Sequence, residues 1–129
     1  MKKRIVLIDD DKTTNHLNKF TIERSNVANE VIIFDSPLGA LDYFKNRSDE
    51  EKGSLILLDI NMPIMDGWEF LKHYISLNGY TTADKVVMLT SSIDPRDQEL
   101  AKESEFVSDI KFKPLSLKTI NDLVKTYLK

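Results

Sequence analysis

The sequence contains no cysteine, which excludes disulfide bonds and metal sites built from thiolates. It has no apolar run near the ~20 residues that a membrane-spanning helix needs. The basic residues 2–4 precede an apolar run, residues 5–8, that is too short for the central region of a signal peptide. The formal net charge is −3, which offers no electrostatic case for nucleic acid. We therefore expect a cytoplasmic protein that binds neither nucleic acid directly nor a membrane.

The 129 residues do contain a regular alternation of short apolar runs and helical segments. A length of 129 residues suits a single domain with one core. In Ser36-Pro37 and again in Asp94-Pro95, a capping residue precedes a proline at the first helical position, which is typical of a helix start. Five apolar runs between the helical segments predict strands at residues 5–8, 31–34, 55–58, 86–89 and 106–112.

Apolar side chains recur at helical spacing in the segments that follow the strands. The fourth helix, roughly residues 94–103, offers only Leu100 and Ala101 as apolar anchors, which indicates a marginally packed helix. In the third helix, the predicted core and near-core residues are Trp68, Phe70, Leu71, Tyr74 and Ile75. Apolar residues also share one face of the second helix, at Leu38, Leu41 and Phe44, and form a stripe along the last, at Leu117, Ile120, Leu123, Val124, Tyr127 and Leu128.

Five strands that alternate with five helices predict an α/β fold with a doubly wound parallel sheet. Right-handed crossover connections restrict the order in which such strands lie side by side. In sheets of this kind, ligands bind beyond the carboxyl ends of the strands. The residues that follow each strand are therefore the candidates for a functional site.

Charged and hydroxyl side chains follow four of the five predicted strands. An aspartate triplet, residues 9–11, follows the first strand. Asp59 ends the third strand, Thr90 follows the fourth, and Lys113 follows the fifth. Parallel strands bring these groups to one edge of the sheet, where crowded carboxylates repel unless a cation lies between them. Oxygen ligands without histidine or cysteine suit Mg²⁺, so the sequence predicts a magnesium site at this edge.

The same residues belong to four motifs that together resemble the receiver domain of bacterial two-component response regulators. The motifs are the acidic pair Asp9-Asp10, the segment D-I-N-M-P-x-M-D-G at residues 59–67, L-T-S at 89–91, and K-P at 113–114. The resemblance covers essentially the whole chain. It implies the flavodoxin-like strand order 2-1-3-4-5 and a single, stand-alone receiver domain over residues 1–129 that resembles chemotaxis response regulators.

The resemblance also implies the ligands of the magnesium ion. Asp10 resembles the acid that binds Mg²⁺ directly, and Asp9 resembles its partner, which often acts through water. Asn61 resembles the residue whose backbone carbonyl completes the metal shell, together with a carboxylate oxygen of Asp59. Asp11 is then expected to be a solvated or helix-capping residue.

Asp59 resembles the phosphoryl acceptor, an aspartate nucleophile that forms an acyl phosphate. Thr90 resembles the hydroxyl that hydrogen-bonds the phosphoryl group, and Lys113 resembles the ammonium that pairs with it, before a cis peptide bond to Pro114. The implied phosphodonor is a sensor histidine kinase or a histidine phosphotransfer protein, and the implied reader is an unknown downstream protein. The chain would not be an enzyme, although receiver domains catalyse their own phosphorylation and dephosphorylation.

One departure from the family pattern concerns the switch. Ile110 stands three residues before the lysine, where the family commonly has an aromatic side chain, and the small Ser92 stands two residues after the threonine. Because a β-branched side chain has few rotamers, we expect Ile110 to be a fixed packing contact. The predicted switch is then a shift of the loop at residues 90–94 and of the fourth helix.

Two alternatives stay open at this stage. One is a degenerate receiver that is never phosphorylated and acts as a constitutive interaction module. The other is a phosphohydrolase of the haloacid dehalogenase type, which also forms an aspartyl phosphate. That family places a second acid two residues after the nucleophile, where this sequence has Asn61.

Overall fold

Five parallel strands form one sheet in the order β2-β1-β3-β4-β5, in the computed structural model of the chain, which describes residues 2–91 and 94–128. Ser92, which the sequence analysis singled out, lies outside the described residues. The strands are β1 (Arg4–Ile8), β2 (Glu30–Phe34), β3 (Leu55–Asp59), β4 (Lys85–Thr90) and β5 (Val107–Phe112). The predicted flavodoxin-like order is therefore confirmed, and only residue 106 of the five predicted runs lies outside its strand.

Five helices connect and follow these strands, as the alternation of the sequence predicts. They are α1 (Lys12–Ser25), α2 (Pro37–Asn46), α3 (Gly67–Ile75), α4 (Pro95–Glu103) and α5 (Leu117–Tyr127), with a short 3₁₀ turn at Asp49–Glu51 before β3. Within the described ranges, no helix combines the length and the apolar character that crossing a bilayer requires.

Each helix begins at a side chain that caps its first turn. The capping oxygen accepts a hydrogen bond from a backbone N–H that has no partner within the helix, which stabilises the start of the helix. The predicted caps at Ser36 and Asp94 are both present, each followed by proline. The five capping residues are Asp11, Ser36, Asp66, Asp94 and Ser116.

Two apolar clusters fill the space on the two faces of the sheet, because successive residues of a strand point to opposite sides. Val6 and Ile8 of β1 join α2, α3 and α4 on one face, through side chains such as Phe44 and Phe70. Leu7 joins α1 and α5 on the other face. The three central strands, β1, β3 and β4, carry near-continuous apolar sequence because both of their faces are covered.

Three apolar side chains at helical spacing are exposed, and the prediction that Leu100 anchors the fourth helix is wrong. Leu38 is 59% exposed, Leu100 is 44% exposed and Leu117 is 42% exposed. Leu38 and Leu117 lie in the first turns of their helices, and Leu100 borders an open groove described below. Each of these helices therefore carries apolar side chains beyond the part of its surface that packs against the sheet.

A buried ion pair lies at the end of the sheet opposite to the predicted site. The Arg47 guanidinium binds both carboxylate oxygens of Asp84, and both side chains are fully buried. The Tyr74 hydroxyl donates to Asp84 Oδ2. The backbone N–H groups of Gly53 and Ser54 donate to Asp84 Oδ1 over 2.9 and 3.0 Å. One carboxylate thus joins α2, α3 and the starts of β3 and β4.

Candidate functional site

Three of the predicted metal ligands come together at the carboxyl ends of β1 and β3. Asp9, Asp10 and Asp59 each offer a carboxylate oxygen, and these three oxygens lie within 4.8 Å of one another. Asp9 and Asp59 are buried, whereas Asp10 is exposed. Asp11 instead caps α1, where its Oδ1 accepts a hydrogen bond of 2.9 Å from the backbone N–H of Thr13. Asp9 and Asp10 are therefore the two acids of the triplet that lie beside Asp59, and Asp11 takes the capping role, one of the two expected for it.

The Lys113 ammonium lies against this cluster. Its Nζ is 2.5 Å from Asp9 Oδ2 and 3.1 Å from Asp59 Oδ1. The backbone N–H of Lys113 donates to the carbonyl of Thr90 over 2.8 Å, which places the lysine at the end of β4. The predicted cis peptide bond to Pro114 is present. Two carboxylates that would otherwise repel each other thus share one cation.

Asp59 is buried at the end of β3, with 4% of the residue exposed. Its Oδ1 accepts a hydrogen bond of 3.3 Å from the backbone N–H of Asn61. The pKa of Asp59 is raised to about 6. Burial is the main cause and the charge of Asp9 adds to it, while Lys113 and the Asn61 N–H lower the pKa and offset part of the rise. The site therefore holds an ionised Asp59 at neutral pH at a cost in stability.

This cost predicts a specific pH dependence of folding in metal-free buffer. The ordinary pKa of an aspartate is about 3.9, so between pH ~4 and ~6 the folded protein binds more protons at Asp59 than the unfolded chain does. The stability that Asp59 contributes at low pH is therefore lost as the pH rises through about 6. Asp59→Asn removes this titration, so its free energy of unfolding relative to the parent should rise by about 2–3 kcal/mol between pH 4 and 7.5.

Urea unfolding of both proteins at several pH values, with a chelator present, measures this difference. The Asp94→Asn variant is the control, because hydrogen bonds from Arg96 hold the pKa of Asp94 below its ordinary value, so its difference from the parent should change little between pH 4 and 7.5. A difference between the Asp59→Asn variant and the parent that stays constant from pH 4 to 7.5 would contradict the raised pKa.

A residue that the sequence analysis missed holds the first strand end in place. Asn15 of α1 is buried, and its Nδ2 donates to the backbone carbonyl of Asp9 over 2.7 Å. The Asp9 N–H in turn donates to the carbonyl of Phe34 at the end of β2. A buried asparagine among the polar residues of a helix has no periodic signature, so only its position one turn after the cap at Asp11 could have indicated this role.

Thr90 lies in β4, and Ile110 lies in the neighbouring strand β5. Thr90 is buried at the last position of β4, one residue beyond Leu89, which pairs with Asp59. Ile110 of β5 is half-buried and packs against the cluster on the α4 side of the sheet. The predicted movement of the loop at residues 90–94 falls partly on residues outside the described ranges, so it stays a prediction.

Gly67, the first residue of α3, packs directly on the backbone at the end of β3. A Cβ atom at Gly67 would lie 2.7 Å from the carbonyl oxygen of Asp59 and 3.0 Å from the Cα of Ile60. The Gly67 N–H donates to the carbonyl of Ile60 over 2.8 Å. A glycine is required here by close approach of two backbone segments.

Gly67→Ala should therefore destabilise the protein by roughly 1–3 kcal/mol, because the added methyl group forces α3 away from the end of β3. Gly39 of α2 is the matched control, since its nearest neighbour would be 3.8 Å away. Gly39→Ala should leave stability unchanged or raise it by up to ~1 kcal/mol, given the helix propensities of the two residues. Urea unfolding tests the pair, and equal effects of the two substitutions would contradict the close contact at Gly67.

The assembled site combines two chemical abilities. Its three carboxylates provide the hard oxygen ligands that a divalent cation prefers. Lys113 and the Thr90 position lie beside them and could neutralise and orient a second anionic group. A buried carboxylate that faces both a cation site and an ammonium is suited to accept a phosphoryl group, since phosphoryl transfer depends mostly on positioning and charge neutralisation.

Comparisons with known proteins agree on a family. The model of the family described as "Response regulator receiver domain" matches residues 5–125. The protein "Response regulator Rcp1" of Synechocystis sp. (strain ATCC 27184 / PCC 6803 / Kazusa) is 33% identical over 98 residues, which cover 74% of this chain and 66% of that protein. The "Alkaline phosphatase synthesis transcriptional regulatory protein PhoP" of Bacillus subtilis (strain 168) is 30% identical over 129 residues, covering all of this chain and 50% of that protein.

Solved structures give the same result. A crystal structure of a two component response regulator from Cytophaga hutchinsonii superposes with a TM-score of 0.84 at 31% identity, covering 98% of this chain and 97% of that one. The chain thus spans 97% of this solved response regulator. It spans only 66% of the Synechocystis protein and 50% of the Bacillus subtilis protein. The functions of those proteins outside the matched region are not assigned to this chain.

Proposed function

The chain belongs to the family of response regulator receiver domains of two-component signalling, and from this premise we propose that Asp59 is its phosphoryl acceptor. The single observation that carries the proposal is the shared contact of Lys113 with Asp9 and Asp59. This ammonium joins the ends of β1 and β3 beside an acidic cluster. It provides the countercharge that a phosphoryl group on Asp59 requires.

The proposed reaction is a transfer from a phosphohistidine to Asp59. A carboxylate oxygen of Asp59 attacks the phosphorus, the phosphorus–nitrogen bond breaks, and the imidazole leaves with that electron pair. The product is an acyl phosphate, whose oxygens are neutralised by Lys113 and hydrogen-bonded by the Thr90 hydroxyl. Attack of water on the phosphorus later releases inorganic phosphate and restores the carboxylate, which is the proposed self-catalysed dephosphorylation.

The carboxylate cluster fits Mg²⁺ because its ligands are oxygens. Its two buried acids, Asp9 and Asp59, also carry two negative charges between them and share the single positive charge of Lys113. Asp10 would bind the ion directly, Asp9 would bind it directly or through water, and Asp59 and the backbone carbonyl of Asn61 would complete the protein ligands. When bound, Mg²⁺ supplies positive charge and coordination for the phosphoryl oxygens. The ammonium of Lys113 supplies the remaining neutralisation.

The proposed partners follow from the family. Upstream, a sensor histidine kinase or a histidine phosphotransfer protein would donate the phosphoryl group. Downstream, an unidentified protein would read a surface formed by α4, β5 and α5. The proposed unit is a single receiver domain over residues 1–129. A degenerate receiver and a phosphohydrolase are the outcomes against which the experiments are designed.

The Mg²⁺ dependence of phosphorylation tests this assignment. Incubated with acetyl phosphate, the protein should gain one phosphoryl group by intact-mass analysis only when Mg²⁺ is present. Asp10→Asn should raise the Mg²⁺ concentration for half-maximal uptake by roughly tenfold or more, since even indirect partners of a bound metal commonly contribute 10–100-fold in affinity. Asp11→Asn is the matched control, because Asp11 caps α1 and lies outside the cluster.

Each rival function has its own signature in this experiment. A degenerate receiver gains no phosphoryl group at any Mg²⁺ concentration. A phosphohydrolase turns over small phosphate esters steadily, at many molecules per protein. An effect of Asp11→Asn as large as that of Asp10→Asn would show that the acidic pair has been assigned to the wrong residues.

A further inference from the structure

Helix α4 rests on the domain with little apolar packing. Ala101 is buried, whereas Leu100 is 44% exposed. A groove of about 560 Å³ separates α4 from α3, and Trp68, Leu100 and Phe106 are among its lining residues. An element with few buried apolar contacts is held in place largely by its polar contacts and is able to shift at low cost.

A side-chain hydrogen bond crosses from α3 to α4 beside this groove. The Trp68 indole Nε1–H donates to Asp97 Oδ1 over 2.9 Å. The acceptor is a carboxylate, so the bond is stronger than one between neutral groups. Asp97 lies in the first turn of α4, where a negative charge also interacts favourably with the helix dipole. This bond fixes the start of α4 relative to α3.

Trp68 is also connected to Asp59, the proposed phosphoryl acceptor, through the backbone of α3. Trp68 directly follows Gly67, whose backbone packs on the carbonyl of Asp59 and donates to the carbonyl of Ile60. The first turn of α3 therefore has no room to absorb a displacement of residues 59–60. A continuous series of short contacts leads from the acceptor backbone through Gly67 and Trp68 to Asp97.

We propose that Trp68 is a positioning residue for α4, and that its hydrogen bond to Asp97 couples the position of α4 to the state of the acceptor. The coupling to phosphorylation rests on the proposed function. A phosphoryl group adds roughly −1.5 to −2 charges at Asp59. The resulting shift of the acceptor backbone moves the first turn of α3, weakens the Trp68–Asp97 hydrogen bond and loosens α4. Ile110, with few rotamers, stays a packing contact.

Hydrogen exchange of the α4 amides, measured by mass spectrometry on the intact chain, tests this connection. Without phosphorylation, Asp97→Ala and Trp68→Phe should each speed exchange within α4 by roughly tenfold, the effect expected for losing a hydrogen bond to a charged group. Asp97→Asn keeps an oxygen acceptor and should restore most of the protection. Glu99→Ala removes an exposed acid of α4 and should leave exchange unchanged.

The same measurement after incubation with acetyl phosphate and Mg²⁺ tests the coupling. In the parent protein, phosphorylation should speed α4 exchange at least about threefold, a smaller effect than that of the substitutions because the hydrogen bond is weakened and not removed. In Asp97→Ala and Trp68→Phe, α4 should already be loose, and phosphorylation should change its exchange by less than about twofold. Intact-mass analysis of each sample shows how much of it is phosphorylated.

Three results would overturn the inference. The first is α4 exchange in Asp97→Ala that equals that of the parent before phosphorylation. The second is a full response to phosphorylation in both Asp97→Ala and Trp68→Phe. The third is a phosphorylated parent protein whose α4 does not respond. Failure of the parent to gain any phosphoryl group would instead overturn the proposed function, while the unphosphorylated comparison would still decide whether Trp68 positions α4.

Discussion

Asp59→Asn is expected to gain no phosphoryl group from acetyl phosphate and Mg²⁺, while the parent protein gains one. The substitution removes the attacking carboxylate oxygen and keeps the size of the side chain. Lys113 keeps its contact with Asp9, so the site loses its nucleophile without losing its ammonium. The loss should therefore be complete and not graded, and intact-mass analysis distinguishes the two cases directly.

Asp35→Asn is the matched control for this prediction. Asp35 directly follows β2 at the same edge of the sheet, and it is exposed. It lies outside the cluster of three acids. The control should be phosphorylated like the parent. A phosphoryl group that persists on Asp59→Asn would falsify the assignment of the acceptor.

Arg47→Ala should lower the free energy of unfolding by about 3–5 kcal/mol, the largest effect on stability that we expect from a single substitution. The reason is that the Asp84 carboxylate would stay buried without its guanidinium, which leaves a charge unpaired in the interior. The Arg47 guanidinium also lies 4.9 Å from the centre of the Phe44 ring, so packing is lost as well. Urea unfolding measures the difference.

Arg96→Ala is the control for this second prediction. Arg96 pairs with Asp94 over 3.3 Å, but its side chain is 87% exposed. Exposed ion pairs contribute roughly 0–1 kcal/mol, so this substitution should change stability little. If the free energies of unfolding of Arg47→Ala and Arg96→Ala differ by less than about 1 kcal/mol, the buried ion pair does not stabilise the fold as its geometry indicates.

The sequence predicted the sheet and most of the site because both depend on local signals. Strands buried on both faces carry unbroken apolar runs, and the residues directly after those runs must lie at one edge of a parallel sheet. Asp9, Asp59 and Lys113 were therefore placed together correctly from their positions alone. Capping residues such as Ser36 and Asp94 were equally local signals.

Contacts between residues that are distant in the sequence could not be predicted in this way. Arg47 and Asp84 form one buried pair across 37 positions, and nothing in the local pattern of either residue distinguishes it from a solvated charge. Trp68 and Asp97 are 29 positions apart, and the sequence indicated only that Trp68 packs near the core. The partner of a polar side chain is set by tertiary structure, which periodicity does not describe.

The degree of burial was the other limit of the sequence. An apolar side chain at helical spacing lies on the correct side of a helix, but the neighbouring element decides whether it is covered. Phe44 is fully buried, whereas Leu38 in the same helix is mostly exposed. In α4, Leu100 is exposed beside an open groove, so this side chain does not anchor the helix to the rest of the domain. The inferred movement of α4 depends on this weak packing.

The most direct test of the central claim is to locate the phosphoryl group in the parent protein. Reduction of an acyl phosphate with borohydride converts the acceptor aspartate to homoserine, which peptide mass spectrometry assigns to a single position. After incubation with acetyl phosphate and Mg²⁺, we predict homoserine at position 59 and at no other position. Homoserine at position 9 or 10, or no homoserine in protein shown to carry a phosphoryl group, would contradict the account.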